Sequence, residues 1–281
     1  MRYRPFGPAG QNVSVIGMGT WYIDETDRET AIAALQAGLD FGMNHIDTAE
    51  MYGDAEIIVG DAIEGRRDEV FLVSKVLPHH ASREGTRIAC ESSLRRLRTD
   101  RLDCYLLHWR GSFPLDETFA AFQDLKSEGK IRSWGVSNFD PDDLDEAYTV
   151  AASFGETIAC DQVLYHLKER AIEHDVVDSC AQHGVALTAY SPFGHGDFPH
   201  PEDPGGRILT SLALAHDATP RQVALAFLAR HPAVFVIPKA SNPEHTAENA
   251  AAGDLILSEE DVALLNRAFP RGSKPRSLPM L

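Results

Sequence analysis

No stretch of the 281-residue chain approaches the 18 or so consecutive apolar residues that cross a bilayer, and the opening MRYRPFGPAG lacks the apolar core of a secretory signal. A cytoplasmic protein that does not enter membranes is expected. Cysteine is sparse: Cys90, Cys104, Cys160 and Cys180 stand far apart with no C-x-x-C pair, so the pattern supports neither a zinc site nor a disulfide scaffold. Positive charge is also short. The 26 basic side chains against 42 acidic ones leave a net charge of −16, a balance that repels a polyphosphate backbone and removes nucleic acid from the expected partners. The glycine-rich phosphate loops are missing as well. Gly17-Met18-Gly19 is followed by Thr20, Trp21 and Tyr22, without the third glycine of a dinucleotide fingerprint, and no Walker A spacing occurs. Internal repeats and low-complexity tracts are absent.

What is present is enough apolar material for a large core, 43% hydrophobic with 24% charged, in a repeating rhythm. Short aliphatic runs at Val15 to Met18, His45 to Thr48, Val70 to Val76, Leu102 to Trp109, Ser133 to Ser137, Ile158 to Leu164, Ala186 to Ser191 and Val234 to Pro238 read as strands. The segments between them have helical spacing: Arg28 to Phe41, Ala55 to Gly65, Arg83 to Leu97, Leu115 to Gly129, Pro141 to Phe154, Arg170 to His183, Pro220 to His231 and Pro243 to Ala252. This alternation belongs to the α/β class, and eight units suit a closed (βα)8 TIM barrel. An N-terminal β-hairpin turning at Pro8-Ala9-Gly10 and an extra C-terminal helix from Ser258 to Ala268 complete a single domain over 1–281, with no residues left for a second. The Gly- and Pro-rich segment Gly194 to Gly206 is expected to be an irregular loop of the kind that forms lids.

In such a barrel the active site lies at the carboxyl ends of the strands. Asp47, Lys75 and His108 each end an apolar run there, and Tyr52 follows the second. A lone Lys or Asp after a strand is usually an ion pair or a cap, and a lone His or Tyr there usually serves packing. Four such groups at successive strand ends point instead to a catalytic set, because buried charges must pair and in pairing shift one another's proton affinity. His195, Asp197 and His200, or His79 with His80, lack the geometry of a metal site, and none is expected.

The chain resembles the aldo-keto reductases, and the compact bacterial members that reduce methylglyoxal-like aldehydes in particular. The likeness rests on Gly19-Thr20-Trp21, Asp47-Thr48-Ala49-Glu50-Met51-Tyr52-Gly53, Ser74-Lys75, Leu107-His108-Trp109, Gly135-Val136-Ser137-Asn138-Phe139, Gln162 with Tyr165, Tyr190-Ser191-Pro192 and Ile237-Pro238-Lys239. It implies reduction of small aldehydes, ketones or dicarbonyls to alcohols by hydride from NADPH. Tyr52 would be the general acid, its proton affinity lowered by the Lys75 ammonium, with Asp47 holding Lys75 and His108 orienting the carbonyl. Gly19, Thr20, Asp47, Ser137, Asn138 and Gln162 would hold the nicotinamide end, with Tyr190 stacked on its ring. Ser191 and Phe193 would also contact the cofactor, and Gly194 to Gly206 would be a strap over its pyrophosphate, latched by Asp197 to Lys239.

At the adenosine end the resemblance places Lys239, Ala240, Ser241, Glu248 and Asn249, and His245 stands where the family has an Arg. An imidazole cannot make the planar two-pronged clamp of a guanidinium, so NADPH is expected with NADH also usable. Trp21, Tyr22, Met51 and Trp109 would line the pocket for a small-molecule carbonyl substrate. A reading of another class is a nucleotide-sensing regulatory module with little turnover. The chain is expected to be a monomer or a weak homo-oligomer.

Overall fold

A computed structural model describes residues 1–281. Its first element is a hairpin in which β1 (Tyr3–Pro5) pairs antiparallel with β2 (Asn12–Ser14). This hairpin plugs the floor of the barrel, where Phe6 packs against the rings of Phe71 at 4.6 Å and Phe235 at 4.9 Å. The barrel strands follow as β3 (Met18–Gly19), β4 (His45–Asp47), β5 (Phe71–Val76), β6 (Leu102–Leu107), β7 (Ile131–Ser137), β8 (Cys160–Leu164), β9 (Ala186–Tyr190) and β10 (Val234–Val236), in sequential order and all parallel. Closure is made by hydrogen bonds from Gly17 N to Val236 O at 2.8 Å and from Gly19 N to Pro238 O at 3.1 Å. Gly19 is required there, since a Cβ on it would sit 2.7 Å from the Ile237 carbonyl oxygen.

The helices are α1 (Arg28–Asp40), α2 (Ala55–Ala62), α3 (Arg83–Leu97), α4 (Leu115–Ser127), α5 (Pro141–Ser153), α6 (Val176–His183), α7 (Pro204–Ala215), α8 (Pro220–Leu228), α9 (Pro243–Ala251) and α10 (Glu259–Ala268). Several starts are written in the sequence. Asp27 accepts from Thr30 N, Ser82 accepts from Gly85 N, and Thr219 with Gln222 and Ser258 with Asp261 form reciprocal caps. No helix is long and apolar enough to cross a membrane.

Two cores result. A cluster of 62 buried residues fills the layer between strands and helices, and a smaller one of 10, including Phe71, Val73, Cys104, Leu106, Cys160 and Phe235, fills the lower barrel. Strand side chains alternate between these two environments. On β5 the inward row is Phe71, Val73, Lys75; from β6 it is Cys104, Leu106, then His108; on β4 it is His45, Asp47; on β8 it is Cys160, Gln162. Each row begins apolar or unionised and ends polar, so period-two geometry alone brings Asp47, Lys75, His108 and Gln162 to one end of the barrel.

Four expectations need correction. The first barrel strand is only Met18–Gly19, the two residues that pair with β4, while Ile16 is joined to Val236 as an isolated bridge and Gly17 lies so close to His45 that a Cβ on it would come within 2.9 Å of that side chain. The helix expected over Arg170 to His183 begins instead as a short 3-10 turn at Ala171–Glu173, and α6 starts only at Val176. Arg170 and Glu173 are turned into a buried salt-bridge network, and Asp175 adopts φ −145° and ψ −37°, which breaks the helical path. The loop Gly194 to Gly206 is not irregular throughout, and its end opens α7, a helix absent from the expected set. Pro204 at the first helical position ends the loop there, and the apolar Ile208-Leu209-x-x-Leu212-Ala213 spacing continues the helix. The fourth concerns Asp197, whose carboxylate pairs with Lys168 Nζ at 2.7 Å rather than with Lys239.

Candidate active site

Lys75 is fully buried at the end of β5, and its Nζ donates to Asp47 Oδ1 at 2.6 Å and to Thr48 O at 2.8 Å. Its third direction points to Tyr52 Oη at 3.4 Å. Tyr52 is delivered by the loop after β4, whose next residue, Gly53, takes φ +51° with no room for a Cβ beside Asp24. On the far side of the phenol, His108 Nε2 lies 3.5 Å from Tyr52 Oη. Asp47 is held twice more: Gln162 Nε2 donates to its Oδ2 at 2.7 Å, and Thr20 Oγ1 donates to its backbone carbonyl at 2.9 Å. The four groups singled out at strand ends therefore form one chain, Asp47–Lys75–Tyr52–His108.

Burial works against charge in this cluster and decides its protonation. It disfavours the ammonium of Lys75, but Asp47 and Tyr52 more than compensate and raise its pKa, so it stays protonated. His108 is held neutral by burial first and by the Lys75 charge second, its pKa falling to about 2. Tyr52 departs from expectation. Burial raises its pKa and outweighs the lowering by Lys75, so the phenol is held as a neutral O–H donor beside an ammonium.

Two adjoining cavities meet at Tyr52. One, of about 290 Å³, is lined by Gly19, Thr20, Trp21, Tyr22, Asp47 and Gln162 on one side, by Tyr190, Ser191 and Phe193 on the other, and reaches Lys239. The second, of about 260 Å³, is lined by Met51, His108, Trp109, Ser137 and Asn138. Trp21, Tyr52, Gln162 and Tyr190 belong to both. The polar residues at their junction are tied together: Tyr190 Oη donates to Asn138 Oδ1 at 2.9 Å, Asn138 Nδ2 to His108 O at 3.1 Å, and Ser137 Oγ to Gln162 O at 2.8 Å.

The remaining candidates lie apart. Ala240, Ser241 and His245 occupy the turn into α9 and its first residues, Asn249 is buried, and Glu248 borders a third cavity with Arg221. Asp197 faces Lys168 on the surface. No three His, Cys, Asp or Glu side chains converge as a metal site.

Sequence reasoning overlooked two groups. His195 stacks on Trp21 with centroids 5.1 Å apart and lines the first cavity, although in sequence it invited only a metal reading. Met280 and Leu281 line the second cavity, and Leu281 N donates to Tyr190 Oη at 3.3 Å. The apolar end of an otherwise polar tail was the only signal for that contact.

The residues can be tested against a nicotinamide nucleotide, which the resemblance implies. A long cleft joins an aromatic and amide-lined end at Tyr190 and Gln162 to Lys239, a cation with no carboxylate partner in a strongly acidic chain. An apolar platform, amide groups and a free ammonium suit a flat ring joined to a phosphate chain, so the residues fit the group.

A parallel (βα)8 barrel carrying this polar cluster at the carboxyl ends of its strands is an enzyme scaffold, and the site is an oxidoreductase's. The chain belongs to the aldo/keto reductase family, whose model matches residues 15–269. It is 43% identical over 274 residues to methylglyoxal reductase YeaE of Escherichia coli (strain K12), covering 96% of both chains. The glyoxal reductase of Bacillus subtilis (strain 168) is 32% identical over 274 residues, with 96% of this chain and 95% of that one covered. An aldo-keto reductase from Klebsiella pneumoniae, solved in complex with NADPH, superposes with a TM-score of 0.92 at 46% identity, covering 100% of this chain and 99% of that one.

Proposed function

We propose that this reductase converts small aldehydes and α-dicarbonyls of the methylglyoxal type to alcohols, using NADPH. The observation that carries the reading is the Tyr52 hydroxyl, set between Lys75 Nζ at 3.4 Å and His108 Nε2 at 3.5 Å where two cavities meet. The bound nucleotide supplies a hydride to the carbonyl carbon. Tyr52 Oη donates its proton to the carbonyl oxygen as negative charge develops there. The phenolate left behind sits beside the Lys75 ammonium, which Asp47 fixes by a 2.6 Å bond and which stabilises the new charge in a site of low dielectric. His108, being neutral, offers the same oxygen a hydrogen bond without competing as a strong acid, and so fixes the carbonyl's orientation.

Trp21, Met51 and Trp109 give the substrate side flat apolar walls, which exclude water and suit small carbonyl compounds over charged sugars. On the nucleotide side, Tyr190 offers a ring face and Ser137, Asn138 and Gln162 offer amide and hydroxyl partners. Lys239, Ser241 and the start of α9 face the phosphate end. With His245 in place of a guanidinium, discrimination against NADH is weaker than a full clamp would give.

The testing experiment is steady-state reduction of methylglyoxal, glyoxal, simple aldehydes and sugars with NADPH and with NADH side by side, following loss of reduced nicotinamide absorbance. Efficient turnover of dicarbonyls with NADPH supports the reading. Tight nucleotide binding with no turnover of any carbonyl would replace it with a sensing role.

A further inference from the structure

Resting on the nucleotide reading above, the geometry points to Arg221 as a determinant of specificity for the adenosine 2′-phosphate. The arginines Arg170 and Arg230 are both spent on Glu173. Arg221, the second residue of α8, engages no carboxylate. Its guanidinium instead lies over the rings of Phe193 at 5.7 Å and Phe198 at 5.3 Å, and these two rings stand nearly perpendicular at 83°. Two perpendicular rings cannot both stack on one planar guanidinium, but their faces attract its charge without consuming its N–H donors. Those donors match two oxygens of a phosphate monoester.

The surroundings place that guanidinium at the adenosine end. Arg221 borders a cavity of about 330 Å³ with Phe198, His200, Thr219 and Glu248. Glu248, the one carboxylate there, has Oε1 taken by Thr219 Oγ1 at 2.6 Å, and Gln222 Nε2 donates to its backbone carbonyl at 2.9 Å. The start of α8 is thereby fastened to α9. Glu248 lies three residues beyond His245 on α9, so the helix that opens with Pro220 and Arg221 is tied to the helix that carries the imidazole in place of a bidentate guanidinium. Because Phe198 belongs to the strap and Phe193 leads into it, a phosphate held by Arg221 also pins the strap over the nucleotide.

Calorimetric titration of the wild type and of Arg221→Gln and Arg221→Lys with 2′,5′-ADP, 5′-AMP, NADPH and NADH tests this. In Arg221→Gln, affinity for 2′,5′-ADP and NADPH should fall about tenfold or more, the loss of a charge-assisted pair. Affinity for 5′-AMP and NADH should hold within about twofold, which also shows the variant is folded, and Arg221→Lys should recover part of the loss. Equal weakening of all four ligands would overturn the assignment, since Arg221 would then serve the adenine or the strap alone, as would no weakening at all. A wild type that binds neither NADPH nor NADH would overturn the nucleotide reading itself, and this assignment with it.

Discussion

Two buried polar clusters in this barrel use similar groups to opposite ends. Asp47, Lys75 and Tyr52 combine a carboxylate, a cation and a phenol, and so do Glu173, Arg170, Arg230 and Tyr165. In the second cluster every strong group is closed by another. Arg230 Nη1 donates to Tyr165 Oη at 2.8 Å and its Nη2 to Glu173 Oε1 at 2.8 Å, Arg170 Nε donates to Glu173 Oε1 at 2.9 Å, and Tyr165 Oη donates to the same carboxylate. In the first, the Lys75–Asp47 bond is as tight at 2.6 Å, but the phenol is held loosely at 3.4 and 3.5 Å and opens on a cavity. Buried His108 also keeps an Nδ1 with no partner. A closed cluster fixes the chain, whereas one left open at a single acidic atom can do chemistry there.

The contrast breaks most sharply if Lys75 is removed. Lys75→Met should cut turnover by about 10² to 10⁴, the range for a positioned acid. It should also cost about 3–5 kcal/mol of stability, because Asp47 is left buried and unpaired. Adding Asp47→Asn should return much of the stability and none of the turnover; recovery of activity in the double variant would remove Lys75 from the mechanism. Glu173→Ala should cost a similar about 3–5 kcal/mol in urea unfolding yet leave turnover per folded molecule unchanged. A kinetic defect there would erase the distinction between the clusters.

Smaller effects follow from pH. The guanidinium and phenol partners outweigh burial and hold Glu173 down to about 2 from an ordinary 4.5. Its contribution is therefore complete above about 4.5 and is lost as pH falls toward 2, and Glu173→Gln should remove that acid-side slope. His45, pushed to about 3 by burial and then by Lys75, and His108 at about 2 act over a different window. Both stay neutral when folded while the unfolded chain takes up protons below about 6.5, so each lowers stability below that pH by up to about 1.4 kcal/mol per unit. His45→Leu should flatten the curve between pH 6 and 4, and kcat/KM should show no inflection near 6.5 from His108.

Much of the open cluster was legible in the sequence because period-two alternation carries Asp47, Lys75 and His108 to one strand end whatever the helices do. The eight-unit order and the closing hairpin were legible for the same local reasons of run length and turn residues. The closed cluster was not: Arg170 and Glu173 lie in a segment with helical spacing, and what turns them inward is a contact with Arg230, 57 residues from Glu173, together with nearby Tyr165. The strap shows the same limit. Asp197 finds Lys168 and His195 finds Trp21, each decided by a neighbour distant in sequence, whereas the start of α7 at Pro204 was a local signal masked by the Gly and Pro residues around it.

The central claim is that the proton comes from the Tyr52 hydroxyl, and Tyr52→Phe removes that one oxygen while keeping the ring. NADPH binding and methylglyoxal reduction should be measured on the same preparation of this variant. Unchanged nucleotide affinity with turnover reduced by about 10² or more is the expected result, and turnover within a few-fold of the wild type would contradict the account.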